Sequence, residues 1–326
     1  MATGPAVRSV VVIPARNEER RIAACLQALA MQGVSDCGII LVANNCTDQT
    51  AQIAGATAAA LGLGLDIIDC TLPEGVGVGT ARRIGVDRGL AVWPWATEVL
   101  TTDADCLVAA DWITRNKWHL QHAAAVCGLV KPMESELAVL AGIEIAPAEM
   151  EGRYERLVSD FYRQFMPGPF GLEGEHGCAA GASLAINVAA YHAIGGFADL
   201  ATGEDRDLIR RLKAAKHPVR HAGDVAVAAS CRLEGRADGG MAEALRVRAA
   251  RTDYLIDDGL PPAQMLIDAA YSNSLGPWPL RVAPLDRLRA QDLKLHIALL
   301  EVALGKLAHA FPEKVPGQGT LRMNLS

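Results

Sequence analysis

Short apolar runs alternate with longer stretches of helical periodicity over the first 130 residues, the rhythm of βαβ units that build a largely parallel sheet. The apolar runs predict strands at Arg8–Ile13, Gly38–Ala43, Leu65–Cys70, Val99–Thr102 and Ala125–Val130. Helices are predicted between them at Glu18–Gln32, Thr47–Leu61, Gly79–Leu90 and Asp111–His122, the last with Asp111 as N-cap. From Lys131 the pattern changes. Helical periodicity over Glu134–Phe165 gives way to MPGPFGLEGEHG, whose prolines and glycines read as a long loop. A strand and then a helix follow in AAGASLAINVAAYHAIGGF, before the acidic turn GEDRD and a helix at Leu208–Ala215. Beyond Gly235 the chain reads as helical, broken at Gly259–Pro262 and Gly276–Pro284. The expected division is a core over residues 1–230, split where the pattern changes into 1–130 and 131–230, and a helical appendage over 231–326.

Composition narrows the class. In 326 residues, 51% are hydrophobic but only 5% aromatic, so the core is expected to consist mainly of Ala, Val, Leu and Ile. A net charge of −6 offers no general attraction to nucleic acid or anionic lipid. Any phosphate-binding charge must then be local. The start, MATGPAVRSVVVIPARNEE, lacks the pattern of a secretory signal. The most apolar stretch, Ile53–Leu65, is shorter than the roughly 20 residues a membrane helix needs. Eight cysteines form no CxxC pair and no zinc spacing, which fits reduced thiols and a cytoplasmic location.

Two acidic motifs carry the chemistry. Asp103-Ala104-Asp105 follows the predicted strand Val99–Thr102, at the strand end where open α/β sheets bind ligands. Carboxylates at this spacing suit Mg²⁺ or Mn²⁺, which would neutralise a departing diphosphate. Alone, such a turn is most often a solvated loop or a helix cap. Gly203-Glu204-Asp205 opens a helix about a hundred residues later. It reads equally as a cap that complements the helix dipole or as a general base for a hydroxyl acceptor.

Six segments in order resemble the family 2 glycosyltransferases of GT-A fold, over Val10 to Val227. VVIPARNEE resembles that family's opening strand and turn, VANNCTDQT its second strand, and GVGTARRIGVDRG its GxxxARNxG helix start. DAD resembles its metal motif, GASLAINVAAYHAIGGF its acceptor-side segment, and GEDRDLIRRL its catalytic turn. The resemblance implies a mostly parallel, Rossmann-like sheet flanked by helices and a metal-dependent, inverting transfer of one sugar from a nucleotide-diphosphate sugar. The acceptor would be a hydroxyl of a small molecule, a glycan or a lipid-linked compound. Nucleic acid and a membrane span are not expected, and a homodimer is an allowed assembly.

Carried over by position, the resemblance sets Pro14, Ala15 and Glu18 beside the nucleoside and Asn44 at the base. Arg82 would approach the donor's phosphates or base, Asp103 the ribose and metal, and Asp105 the metal. Asp205, supported by Glu204, would be the catalytic base, and Gly181, Ala182 and Ser183 would line the sugar and acceptor pocket. The family's paired aspartates after the second strand are Ala43 and Asn44 here, which puts uridine specificity in question and leaves guanine or another base open. No QxxRW motif follows the catalytic turn, in contrast to the family's processive polymerases.

His221 lies where some members supply a histidine to the metal, and its other reading is structural. His176 is a candidate acceptor contact. The run Ser230–Gly240 is either a linker or a lid whose Arg232 and Arg236 close over a diphosphate. Among rivals, Gly75–Gly79 lacks the last glycine of a dinucleotide fingerprint. A sugar nucleotidyltransferase would want a glycine-rich basic loop after the first strand, where Pro14–Glu18 has no glycine. A catalytically inactive nucleotide-sugar-binding protein is disfavoured by intact Asp103, Asp105 and Asp205.

Overall fold

A fully buried apolar segment needs cover on both faces, and the sheet of this protein is built around one. The computed structural model describes residues 6–142, 145–235, 241–250 and 253–310. Every residue of β1 (Ser9–Ala15) is buried. It is followed by α1 (Ile22–Ala30), β2 (Cys37–Asn44), α2 (Thr50–Leu61), β3 (Leu65–Cys70), α3 (Val78–Val92) and β4 (Glu98–Thr101). Then come β5 (Cys106–Val108), α4 (Trp112–Leu120), β6 (Ala125–Pro132) and, after a 3-10 stretch at Glu134–Gly142, α5 (Ile145–Phe165). β7 (Leu184–Asn187), α6 (Val188–Ala193), α7 (Glu204–Ala214) and β8 (Val219–Ala229) complete the sheet region.

The strand order is β3-β2-β1-β4-β7-β6-β8-β5. β1 to β4 pair in parallel, β7 runs antiparallel between β4 and β6, and β5 runs antiparallel to β8 at the edge. β6 and β8 are parallel, with a shift of register after Gly128 where residues 223–225 bulge out. The sheet is therefore mixed, with its parallel half on the side of β1 to β4. That half puts the ends of β1, β2 and β4 at one edge, the ligand edge of an open α/β sheet.

Three differences from the sequence pattern have local causes. α1 begins at Ile22 rather than Glu18, because Asn17 takes a left-handed φ of 56° and Glu18 accepts turn hydrogen bonds from the N–H groups of Arg21 and Ile22. β5 is only three residues long and lies hidden in TTDADCLVAA. β8 has no predicted counterpart, since its pattern is broken by His221, Gly223 and Asp224.

Mainly aliphatic residues fill two cores, one on each face of the sheet, with Trp112 in one and Tyr191 and Phe197 in the other. A third core collects aromatics. Tyr154, Phe161 and Tyr162 of α5 pack there with Tyr254, Trp278 and the apolar faces of α9 (Ala263–Tyr271) and α10 (Leu293–Ala310). α8 (Met241–Ala250) precedes α9 and α10 in the chain. Hence α5, from inside the expected 131–230 half, shares its core with the C-terminal helices.

Candidate active site

Asp103 and Asp105 stand on the tight connection between β4 and β5, which leaves little freedom for either backbone. The Asp103 carbonyl accepts the Cys106 N–H at 3.0 Å, and the Ser230 N–H donates to the Asp105 carbonyl at 3.2 Å. Asp103, Asp105 and Cys106 bring their ligand atoms within 4.8 Å of one another. Burial, and then the charge of Asp103, raise Asp105 to about 6, against the opposing pull of Arg232. Cys106 is 1% exposed and its thiol is pushed well above the usual range by burial and by both aspartates. It stays protonated, so the donors on offer are carboxylate oxygens, the set that hard Mg²⁺ or Mn²⁺ prefers. The residues fit such an ion.

Arg82 of α3 joins this turn to the start of α7. One guanidinium nitrogen pairs with Glu204 and the other with Asp103 Oδ1 at 2.5 Å. The arginine is 3% and Glu204 2% exposed, so the pair is desolvated. Gly203 reaches the helix start with φ 75°, a left-handed conformation that suits glycine. Asp205 follows, half-buried, with Oδ2 accepting the Gly181 N–H at 2.8 Å and Oδ1 the Arg206 N–H at 2.7 Å. A Cβ on Gly181 would fall within the Arg82 guanidinium, which explains glycine there. Thr101 Oγ1 donates to the Gly181 carbonyl at 2.6 Å, fixing the same turn from β4.

The opposite wall is the β1–α1 turn. Pro14 and Ala15 end β1 and are buried, and Asn44 ends β2, half-buried and in register with Cys70. Glu18 is 5% exposed, and its N–H donates to Thr50 Oγ1 at 2.7 Å. Arg232 grips Glu18 with two nitrogens at 2.7 and 2.5 Å, and reaches Asp105 Oδ2 at 2.9 Å.

Residues 10–169 match the family model described as Glycosyl transferase family 2. This chain belongs to that family. Among solved structures the glycosyltransferase shares its fold with a mannosyltransferase, PcManGT from Pyrobaculum calidifontis, in complex with GDP-Man and Mn²⁺. The TM-score is 0.51 at 19% identity, over 95% of this chain and 76% of that one. S. aureus TarS 1–349 in complex with UDP-GlcNAc gives 0.50 at 15% identity, over 94% and 76%. The chain spans 36% of the longer S. aureus TarS chain that it also matches. No curated protein matches at a significant level. At such identities these likenesses establish the GT-A fold.

In the glycosyltransferase, direct contacts thus join Asp103, Arg82 and Glu204, Asp205 and Gly181, and Glu18, Arg232 and Asp105 about the β4–β5 turn. Ala182 and Ser183 are buried, Ser183 Oγ accepting from Trp112 Nε1 at 3.0 Å. One expectation needs correction. His221 is not among the metal-site residues: it is fully buried, its Nδ1 faces the Cys178 carbonyl at 2.9 Å and its Nε2 faces Lys213 Nζ at 3.3 Å. Burial and the Lys213 charge hold its pKa well below the usual histidine value. Arg82, expected near the donor's phosphates or base, is held between Asp103 and Glu204. Arg236 lies outside the described residues. His176 is half-buried and accepts the Cys178 N–H at Nδ1, 3.1 Å away, in edge contact with His221.

Sequence reasoning missed Glu136 and Arg206. Glu136 accepts Ser230 Oγ and the Cys231 N–H at 2.7 and 2.8 Å and pairs with Arg21 at 3.0 Å. Arg206 links the candidate base to Asp257 and Asp258 of the appendage at 2.5 and 2.6 Å. Neither belongs to a local motif. Only the tertiary fold brings them to the cleft.

Proposed function

We propose that this family 2 glycosyltransferase moves one sugar from a nucleotide-diphosphate sugar to an acceptor hydroxyl, with inversion, and that Asp205 is the general base. The observation that carries the reading is that Arg82 joins Asp103 of the acidic turn to Glu204, the residue next to Asp205. A divalent cation held by Asp103 and Asp105 would supply charge neutralisation for the departing diphosphate. Two backbone N–H groups orient the Asp205 carboxylate and leave it lone pairs for an acceptor O–H. It takes the hydroxyl proton as the acceptor oxygen bonds to the anomeric carbon and the bond to the diphosphate breaks. Attack from the face opposite the leaving group inverts that carbon. Asp207 is spent on Arg211 at 2.7 Å, which leaves the base role to its neighbour.

The donor side is Pro14, Ala15, Asn44 and Glu18, and the acceptor side runs from His176 through Gly181–Ser183. That PcManGT and TarS 1–349 hold GDP-Man and UDP-GlcNAc supports a nucleoside-diphosphate donor and leaves either base open. In this reading, residues 231–326 form an appendage that shares α5 with the core. No helix among the described residues is long and apolar enough to cross a membrane.

The test is transfer or donor hydrolysis with a panel of UDP- and GDP-sugars and Mn²⁺. Asp205→Asn should lose a factor of about 10²–10⁴ in rate while still binding nucleotide. Asp207→Asn should stay within a few-fold of the parent. Full activity in excess EDTA, or a product with the donor's anomeric configuration, would overturn the reading.

A further inference from the structure

The carboxylates of the cleft outnumber their cations. Among the described residues, Glu18, Asp103, Asp105 and Glu204 are directly paired with the guanidinium groups of Arg82 and Arg232. The two arginines are held differently. Arg82 sits on α3 in the protein interior, whereas Arg232 is 17% exposed in its side chain and lies just beyond the end of β8.

The segment carrying Arg232 is clipped down immediately before it. Ser230 and Cys231 are fixed to Glu136, and the Ser230 N–H is bonded to the Asp105 carbonyl. After that clip the side chain of Arg232 reaches over the cleft, and a single nitrogen, Nη2, bridges Glu18 Oε1 and Asp105 Oδ2. A carboxylate that holds a guanidinium at 2.9 Å has an oxygen engaged that a metal ion would also use.

We propose that Arg232 is the resident counter-cation of the metal site, and that it leaves Asp105 for the donor's diphosphate when a divalent ion and nucleotide bind. This rests on the reading of Asp103 and Asp105 as the metal pair. Without nucleotide, Arg232 and the ion compete for Asp105, so Arg232 weakens metal binding. With nucleotide, the diphosphate brings its own negative charge and gives the displaced guanidinium a new partner, so Arg232 then strengthens binding. One residue thereby makes the metal and the donor bind cooperatively. Glu18 serves as the pivot, because its two-nitrogen grip anchors the guanidinium beside either partner.

The experiment is Mn²⁺ titration followed by electron paramagnetic resonance, on the full chain with and without UDP or GDP. The proteins are the parent, Arg232→Gln, Arg232→Lys and Asp105→Asn, each checked for an unchanged melting profile. Arg232→Gln should bind Mn²⁺ about tenfold tighter than the parent without nucleotide, and nucleotide should bind about tenfold weaker in the presence of Mn²⁺. Arg232→Lys keeps the charge but loses the fork, and should fall between. Arg232→Gln with unchanged or weaker Mn²⁺ affinity would overturn the proposal while Asp105→Asn still abolishes binding. If Asp105→Asn binds Mn²⁺ like the parent, the metal assignment itself is wrong and this inference falls with it. Tighter Mn²⁺ with unchanged nucleotide affinity would overturn the transfer of Arg232 to the diphosphate.

Discussion

At the scale of single residues, the site is a set of close approaches that tolerate little added volume. Gly181 is the sharpest case, since its N–H holds Asp205 while its Cα faces the Arg82 guanidinium. Gly181→Ala should push Arg82 off Asp103 or Glu204 and shift the turn that carries the base. Overpacking of this kind typically costs about 1–3 kcal/mol. A fall of at least tenfold in kcat, with a cooperative unfolding transition still present, is expected; a parent-like kcat would show that the turn has slack. Asn44 is the residue to question on base choice. In Asn44→Ala the relative competition by UDP and GDP against donor should change, because a polar contact in a half-buried pocket is worth about 1–3 kcal/mol. Equal shifts for both nucleotides would exclude it as a reader of the base. The motif residues were legible in the sequence because chemistry constrains them locally. The partner of Arg82 was not. An arginine after a glycine-rich helix start looks free for phosphate, and only the fold shows that Glu204 and Asp103 already claim it.

At the scale of elements, the parallel half was readable because each buried strand is a continuous apolar run and each helix a periodic one. The antiparallel edge was not, since three-residue β5 is too short to leave a pattern and β8 is interrupted at its bulge. The same limit hid the role of the C-terminal segments. Trp278, 3% exposed, donates from Nε1 to the Gly177 carbonyl at 2.8 Å and packs edge-on against Tyr162 of α5. It thereby fixes the end of the loop that leads into Gly181. Trp278→Phe keeps an aromatic ring but removes the hydrogen bond, so this loop should open more often. Protease cleavage between Met166 and Gly177 should accelerate several-fold, while cleavage elsewhere is unchanged. A uniform acceleration at all sites would mean global destabilisation instead, and no acceleration would mean that the loop is held by other contacts.

At the scale of the whole molecule, low aromatic content did not mean a core without aromatics: they are concentrated where α5 meets the C-terminal helices. The junction between that region and the sheet contains a buried charge. Lys213, at the end of α7, is 1% exposed; its Nζ donates to the Gly171 carbonyl and faces His221 Nε2. Burial lowers its pKa from 10.5 to about 8, with Cys127 and Glu173 acting in the opposite direction. The sign of the stability effect follows from proton counting. Between pH 8 and 10.5 the unfolded chain binds this proton and the folded chain does not, so this lysine makes stability rise with pH over that window. Below pH 8 both states are protonated and the penalty is constant, on the order of 3 kcal/mol. Lys213→Met removes the titration and fills the same space with an apolar chain. Urea unfolding of parent and variant at pH 7, 8, 9 and 10 should then show the difference between them changing through that window, with the parent gaining on the variant as pH rises. The comparison cancels the tyrosines and other lysines that titrate in the same range. A difference that stays flat from pH 7 to 10 would mean that Lys213 keeps an ordinary pKa, and that the junction is more open to water than its burial implies.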